Sequence, residues 1–205
     1  MRLIGLAGGI ASGKTMVTDY LVSLGAPVVD ADVISRSITA PGSPVLKEIA
    51  TAFGDEYLDG EGNLLRKKLG ELIFNDRESR LRLNQITHPH ISRIIRDEIN
   101  QHRDEGAPIV IYSAPLLLEG GSGSMTDEVW LVALEPREQI RRLMGRDGIT
   151  EEEAKARLGS QSSLEEKMSL ADKVIDNSGT PEETREQVMA LWEDAMRMAD
   201  AEKFP

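Results

Sequence analysis

The sequence contains no cysteine and no long apolar run. The absence of cysteine among the 205 residues excludes disulfides, thiolate metal sites and a cysteine nucleophile. A membrane-spanning helix needs roughly 18 consecutive apolar residues, and no stretch of the sequence reaches that length. We therefore expect a globular protein without a membrane-embedded part.

Basic residues are scarce relative to acidic ones. The chain has 24 Lys and Arg against 35 Asp and Glu, which gives a formal net charge of −11 at pH 7. Nucleic-acid backbones are bound by clustered lysine and arginine, so this charge disfavours a nucleic-acid partner. A phosphorylated small molecule remains compatible, because backbone amides and a few local cations can bind one inside an acidic protein. No feature of the sequence indicates an obligate protein partner.

The first residues bear on the cellular compartment. Residues 1–7 carry one cation and a short apolar run, and they lead directly into a glycine-rich loop. Cleavage of an export signal would remove that loop. We therefore expect no signal peptide and a cytoplasmic location.

Short apolar segments alternate with stretches of helical spacing. Strands are predicted at residues 3–7, 27–29, 108–112, 128–134 and 173–175. Strands that alternate with helices form a parallel sheet flanked by helices, so the predicted class is α/β. Residues 55–105 show helical spacing without a strand, which predicts a helical insertion in a core formed by 1–54 and 106–205. The glycine–serine run at 120–124 is interpreted as a loop.

Residues 8–15 match the phosphate-binding pattern G-x-x-x-x-G-K-[ST] at every fixed position. Glycines let the backbone curl so that successive N–H groups point at phosphate oxygens, and the following helix adds a partial positive charge. Lys14 can reach the β- and γ-phosphates of ATP, and the Thr15 hydroxyl can ligate Mg²⁺. An apolar strand before the loop and an amphipathic helix after it predict a P-loop NTPase core. The predicted ATP-binding residues are Gly9, Ile10, Ala11, Ser12, Gly13, Lys14 and Thr15.

Two carboxylates, Asp30 and Asp32, follow the second predicted strand. The carboxyl ends of parallel strands face the ligand crevice, so we expect both at the sheet edge that carries the glycine loop. If the chain stays extended, their i, i+2 spacing turns both to one side. Asp32 is equally suited to cap a helix at residues 33–37, and the spacing leaves both interpretations open.

Several segments resemble the dephospho-coenzyme A kinases. The first strand and glycine loop are similar to those of that family, and residues 29–32 (Val-Asp-Ala-Asp) match its Asp-Ala-Asp signature. Further matching elements follow in order, within residues 3–179: Asp59-Gly60 through Arg66, Leu69 and Ile73-Phe74; Ile86-Thr87-His88-Pro89-His90-Ile91; Pro115-Leu116-Leu117-Leu118-Glu119; Arg146 and Gln161; Ala171-Asp172-Lys173-Val174-Ile175-Asp176-Asn177-Ser178-Gly179.

The resemblance implies a reaction and a set of roles. The reaction would transfer the γ-phosphate of ATP to the ribose 3′-hydroxyl of dephospho-coenzyme A, with Mg²⁺ and no other cofactor. Asp32 would be directed at the acceptor hydroxyl, and Arg66 and His88 would belong to the substrate-binding insertion. A lid at about residues 137–165 would carry Arg146 onto the transferring phosphate. Asn177 would contact ATP at its adenine.

Other interpretations of these residues stay open. His88 precedes Pro89 at what reads as a helix start, where a capping or packing role also fits. Arg146 lies in a glycine-flanked break between Gly145 and Gly148, among arginines that could simply form a solvated helix face. Asn177 could belong to a turn.

The sequence departs from the family pattern at several positions. Ser113 stands where many members carry Asp before the Pro-Leu-Leu run, so a role for that Asp does not carry over. Leu118 replaces Phe, Leu65 stands where Asp or Asn is common, and Ala7 and Ala11 stand where Thr and Gly are usual.

Two rival functions can be compared with this expectation. Another small P-loop kinase, acting on a nucleoside, sugar or shikimate-like alcohol, is the nearest. The helical insertion and the Asp-Ala-Asp element favour the dephospho-coenzyme A kinases over it through resemblance. A GTP-dependent switch needs an Asn-Lys-x-Asp motif, which the sequence lacks.

Overall fold

The computed structural model describes residues 1–115, 117–119 and 125–202. The loop predicted at residues 120–124 lies outside these ranges, and so does Leu116 of the Pro-Leu-Leu element. Within the described ranges, no helix is long and apolar enough to cross a membrane.

Five strands form one sheet in the described chain, in the order β2-β3-β1-β4-β5. They are β1 (Arg2–Gly8), β2 (Val28–Asp30), β3 (Ile109–Ser113), β4 (Glu128–Ala133) and β5 (Lys173–Asp176). β1 pairs in parallel with β3 and β4, and β4 pairs in parallel with β5. Every residue of β1, β3 and β4 is buried, which explains why these strands are continuous apolar runs in the sequence. The predicted α/β class with a parallel sheet is confirmed.

The helices are α1 (Lys14–Ser23), α2 (Ala31–Ser37), α3 (Pro44–Phe53), α4 (Arg66–Asn75), α5 (Arg77–Asp104), α6 (Pro136–Asp147), α7 (Glu151–Gly159), α8 (Leu164–Leu170) and α9 (Pro181–Ala201), with a short 3-10 helix at Asp55–Tyr57. α1 and α9 contact each other, and α8 contacts β4. Leu21 and Trp192 from these helices join Ile4 and Trp130 of the sheet in one buried cluster. Burial of each such side chain stabilises the fold by about 1.5–3 kcal/mol relative to exposure.

The chain forms two compact units. One consists of Met1–Val29 and Gln101–Pro205, and the other of Asp30–Asn100. The second unit contains α2, α3, α4 and most of α5, and it buries apolar side chains of its own, among them Ile49, Leu69 and Ile95. The insertion predicted at 55–105 falls largely inside this unit, which begins earlier, at Asp30.

The capping interpretation of Asp32 is wrong, because Asp30 is the residue that caps α2. The Asp30 carboxylate accepts hydrogen bonds from the backbone N–H groups of Asp32, at 2.8 Å, and Val33, at 3.1 Å. The chain therefore passes from strand to helix at Asp30. For the same reason, the two carboxylates do not continue one extended segment, and Asp32 lies in the first turn of α2.

Two other local expectations are also wrong. His88 and Pro89 lie inside α5, far from its start at Arg77. The isoleucine repeat, with Ile95 and Ile99 buried, continues the helix past the proline. Arg146 does not lie in a break, since α6 continues through it to Asp147 and ends at Gly148, whose φ of 65° is the left-handed C-cap conformation.

Candidate active site

The glycine loop connects β1 to α1 and contains a turn closed by a backbone hydrogen bond. The N–H of Ser12 donates to the carbonyl of Gly9 at 3.1 Å. Gly13 has a φ of 96°, in a region that favours glycine, and any Cβ there would collide with the side chain of Asn177. Ala11 also has positive φ, 58°, and it is the one non-glycine residue of the described chain in that conformation. This is the position where the resembling family usually has glycine.

The N-terminus of α1 is left open to a ligand. Its N-cap is Gly13, which has no side chain to accept hydrogen bonds, and its first turn contains no acidic residue. The first turns of α7, α8 and α9 each carry a capping box and glutamates. A capping box satisfies N-terminal N–H groups from within the chain, whereas an uncapped N-terminus binds an anion. The loop and α1 therefore form a candidate phosphate site.

Lys14 hydrogen-bonds to Ser113, one of the positions where the sequence departs from the family pattern. Its Nζ donates to the Ser113 hydroxyl at 2.6 Å. Ser113 is the buried last residue of β3, which pairs with β1 next to the loop. The serine is neutral, so Lys14 contacts it without forming an ion pair. Thr15 is exposed in the first turn of α1.

Asn177 contacts the loop with its side chain. Its Nδ2 donates to the carbonyl of Ser12 at 2.6 Å, and its Oδ1 accepts from the Thr184 hydroxyl at 2.9 Å. The side chain is buried, with 4% of the residue exposed. The Asn177 amide therefore supports the loop with one of its protons, while its oxygen is held by Thr184. This structural role explains an Asn at this position without an adenine contact.

Arg142 lies beside the glycine loop. It donates to Glu138 at 3.0 Å and to the backbone carbonyl of Asn177 at 3.3 Å, and its NH1 lies 3.6 Å from where a Cβ on Gly13 would be. Arg142 and its neighbour Arg141 lower the pKa of Glu138 to about 2, with the hydrogen bond from Arg141 as the larger cause.

Arg146 lies in the last turn of α6 with an exposed side chain. It donates to both carboxylate oxygens of Asp147, at 2.7 and 3.2 Å, and Arg157 donates to the same carboxylate at 2.8 Å. The hydrogen bond from Arg146 is the main cause that lowers the pKa of Asp147. The residue therefore has an acidic neighbour, from which it would have to separate to contact a phosphate.

The other predicted site residues belong to the second unit. Asp32 is exposed on α2, and His88 is exposed on α5. Arg66, the first residue of α4, donates to the Thr39 hydroxyl at 2.6 Å and to the carbonyl of Arg36 at 3.1 Å. Its guanidinium thus joins α4 to the end of α2.

Sequence reasoning missed Gln139 and Lys167 as neighbours of the loop. Gln139 Nε2 donates to the carbonyl of Ile10 at 2.7 Å, and Lys167 donates at 3.3 Å to Gln161, which in turn accepts from the N–H of Ile10. Both residues are buried, although each type is normally exposed. A lone Gln or Lys in a helical pattern gives no signal of burial. Gln161 could be found only as a family match.

Comparison with known proteins identifies the family. Residues 2–183 match the family model described as dephospho-CoA kinase. The chain is 44% identical over 199 residues to the dephospho-CoA kinase of Carboxydothermus hydrogenoformans, covering 95% of this chain and 97% of that protein. A Thermus thermophilus crystal structure matches with a TM-score of 0.81 at 33% identity, covering 94% and 97% of the two chains. Dephospho-CoA kinase from Campylobacter jejuni matches with a TM-score of 0.70 at 28% identity, covering 95% and 97%.

The positive φ of Ala11 leads to a stability prediction. Replacement by glycine removes the steric cost of the left-handed conformation, while it adds conformational freedom to the unfolded chain. We expect Ala11→Gly to raise the free energy of unfolding by about 1 kcal/mol, since the strain relieved exceeds the entropy cost. Urea denaturation monitored by circular dichroism measures the change. The matched control is Ala156→Gly inside α7, which should lower stability by about 1 kcal/mol. Equal destabilisation by both substitutions would contradict the strain at Ala11.

Proposed function

The chain belongs to the dephospho-CoA kinase family, and we propose that its glycine loop, residues 8–15, is where the γ-phosphate of ATP is transferred to the ribose 3′-hydroxyl of dephospho-coenzyme A. The observation that carries this proposal is the open N-terminus of α1, which follows a curled glycine loop and begins with Lys14. Backbone N–H groups and a lysine at one point form an anion site suited to a polyphosphate.

Lys14 supplies the charge at the transferring phosphoryl group. In the structure its Nζ is held by the Ser113 hydroxyl. Exchange of this hydrogen bond from Ser113 to a phosphate oxygen would bring the ammonium charge onto the transferring group. The charge then stabilises the negative oxygens of the transition state.

The residues present fit a magnesium ion held mostly by phosphate oxygens. In the described ranges, no group of three or more His, Asp or Glu is arranged as a metal site. Mg²⁺ commonly keeps several waters and takes only one or two protein ligands beside substrate phosphates. The exposed Thr15 hydroxyl is the ligand we propose, and the ion would neutralise charge on the β- and γ-phosphates.

Asp32 is proposed as the base that accepts the proton of the acceptor hydroxyl. A ribose hydroxyl is a poor nucleophile at neutral pH, and phosphoryl transfer needs it oriented in line with the phosphate. The residue that caps α2 is Asp30, and Asp32 lies in the first turn of the helix. Its carboxylate is exposed and follows β2 by two residues, at the last position of the Asp-Ala-Asp match.

Arg146, Arg66 and His88 complete the proposed set. Arg146 is the lid arginine, carried by the segment 137–165, and would contact the transferring phosphate once it leaves Asp147. Arg66 and His88, both exposed in the second unit, would contact the acceptor. Asn177 is proposed to serve ATP binding through the loop that it supports.

The acceptor is tested directly. The protein is incubated with Mg-ATP and one of four alcohols, dephospho-coenzyme A, adenosine, gluconate or shikimate, and ADP release is followed. We expect release that depends on dephospho-coenzyme A, with coenzyme A as the product by mass spectrometry. Turnover of one of the other alcohols in its place would refute the proposal.

Replacement of Lys14 tests the loop. Lys14→Ala should lower turnover by about 10²–10³-fold or more, because a positioned cation is lost. Folding should persist, since the lysine is not part of the apolar core. Steady-state kinetics and thermal melting measure the two effects, with the exposed Lys47→Ala as control. Activity within tenfold of the parent would show that the lysine is not used as proposed.

Replacement of Asp32 tests the base. Asp32→Asn keeps size and hydrogen bonding but removes the basic oxygen, so turnover should fall by roughly 10²–10⁴-fold while ATP affinity stays within a few-fold. Turnover is measured by ADP release and affinity by calorimetry. Loss of Mg²⁺-dependent ATP binding would instead make Asp32 a residue of the metal site, and near-normal turnover would remove it from the chemistry.

Replacement of Arg146 tests the lid arginine. Arg146→Ala should reduce kcat much more than it raises the KM for ATP, as expected for a contact that strengthens in the transition state. Arg137→Ala, an exposed arginine on the same helix, is the control and should be close to the parent. A variant with a raised KM and normal kcat would make Arg146 a ground-state phosphate contact.

A further inference from the structure

The two peptide units that flank Ile10 in the glycine loop are each bound by a glutamine. Gln139 of α6 donates from Nε2 to the carbonyl of Ile10 at 2.7 Å. The N–H of Ile10 donates to Oε1 of Gln161, which follows α7, at 3.0 Å. The two side chains act with opposite polarity, one as donor and one as acceptor, so the orientations of both peptide units beside Ile10 are fixed.

The chain is built to let Gln139 reach this position. A Cβ on Gly9 would lie 2.7 Å from Gln139 Nε2, too close for any other residue type without movement of the glutamine. Gln139 itself is 5% exposed. A buried amide that lost its partner would be costly, by about 1–3 kcal/mol. Close approach and burial together indicate that the loop and the glutamine are fitted to each other.

Gln161 is oriented by a buried ion pair. Lys167 Nζ donates to Gln161 Oε1 at 3.3 Å and lies 3.0 Å from a carboxylate oxygen of Glu119. The same oxygen of Glu119 accepts from the N–H of Ser162 at 3.1 Å. Lysine can only donate, and so can the N–H of Ile10, so the atom between them must be the amide oxygen. The pair of Lys167 and Glu119 therefore fixes which end of Gln161 faces the loop.

Apolar side chains beside the loop cannot fix its backbone by hydrogen bonding. Gly9 borders a cavity of about 330 Å³ whose lining combines apolar side chains, among them Leu131 and Ile140, with polar ones that include Gln139 and Gln161. Of these, Gln139 and Gln161 hydrogen-bond the backbone of the loop at Ile10.

We propose that Gln139 and Gln161 are positioning residues for nucleotide binding, that they hold the glycine loop in its phosphate-binding form, and that Lys167 with Glu119 orients Gln161. This inference rests on the proposed nucleotide site. It concerns ATP and ADP alone, so it can be tested without the acceptor alcohol.

The same substitution at the two glutamines gives opposite expectations. At neutral pH a glutamate side chain accepts hydrogen bonds but cannot donate them. Gln161→Glu keeps the acceptor for Ile10 and Lys167. Gln139→Glu places a carboxylate against the carbonyl of Ile10 and removes the donor. Both variants add one negative charge beside the backbone of Ile10, so their difference reports the polarity of the hydrogen bond.

The experiment is calorimetric titration of each variant with Mg-ADP. We expect Gln139→Glu to bind ADP at least about tenfold more weakly than Gln161→Glu, which corresponds to one unpaired buried group. In steady state, KM for ATP should rise with Gln139→Glu while KM for dephospho-coenzyme A changes little. If Gln139→Glu does not fold, Gln139→Met removes the donor without adding charge, and its ADP affinity should still fall. Equal effects of the two glutamates, or lowered melting temperatures with unchanged ADP affinity, would overturn the proposal.

Lys167 is replaced both alone and together with its partner Glu119. Lys167→Met removes the cation beside the partly buried Glu119, so the double variant Lys167→Met/Glu119→Gln is compared with it. Both should weaken ADP binding several-fold if Lys167 acts through Gln161. Lys155→Met, an exposed lysine of α7, is the matched control. Recovery of full ADP affinity in the double variant would overturn the role of Lys167 in orienting Gln161.

Discussion

A loop that turns its backbone N–H groups toward a ligand cannot satisfy its remaining polar groups through helix or sheet bonds. In this protein the carbonyls of Ile10 and Ser12 are bound by Gln139 and Asn177, while the N–H of Ile10 is bound by Gln161. The positive φ angles at Ala11 and Gly13 persist because these bonds fix the surrounding backbone. The open N-terminus of α1 and the position of Lys14 both depend on that fixed curl.

The residue at the end of β3 affects the charge around Lys14. Ser113 holds the lysine at 2.6 Å through a hydroxyl that can donate or accept. An aspartate at the end of β3 would add a negative charge beside the incoming phosphates. With serine there, the charge balance near the loop is more positive by one, even though the whole chain carries −11. The charge near the glycine loop therefore cannot be inferred from the net charge of the chain.

The sheet and the phosphate loop could be predicted from the sequence because their signals are local. Buried parallel strands are uninterrupted apolar runs, and the glycine pattern fixes its own backbone.

The bounds of the second unit and the residue that caps α2 are harder to predict from the sequence. Asp30 and Asp32 are both suitable caps by type, and only the point where the strand turns decides between them. Gly145 suggests a break in α6 because glycine is a poor helix former. The helix instead ends at Gly148, which takes the left-handed conformation. The supporting residues Gln139 and Lys167 gave no signal, since their roles depend on contacts more than 40 residues away in sequence.

The bonds that hold the glycine loop also set the order in which the site can form during synthesis. The loop is synthesised before the residues that bind it, because Gln139, Gln161 and Asn177 follow their loop partners by 129, 151 and 165 residues. β1 likewise pairs with β3 and β4, which are made much later. Contacts of such high sequence separation slow folding, because a long stretch of chain must be closed before they form. A nascent chain of this protein therefore carries its glycine loop without the residues that fix its conformation until these have been synthesised.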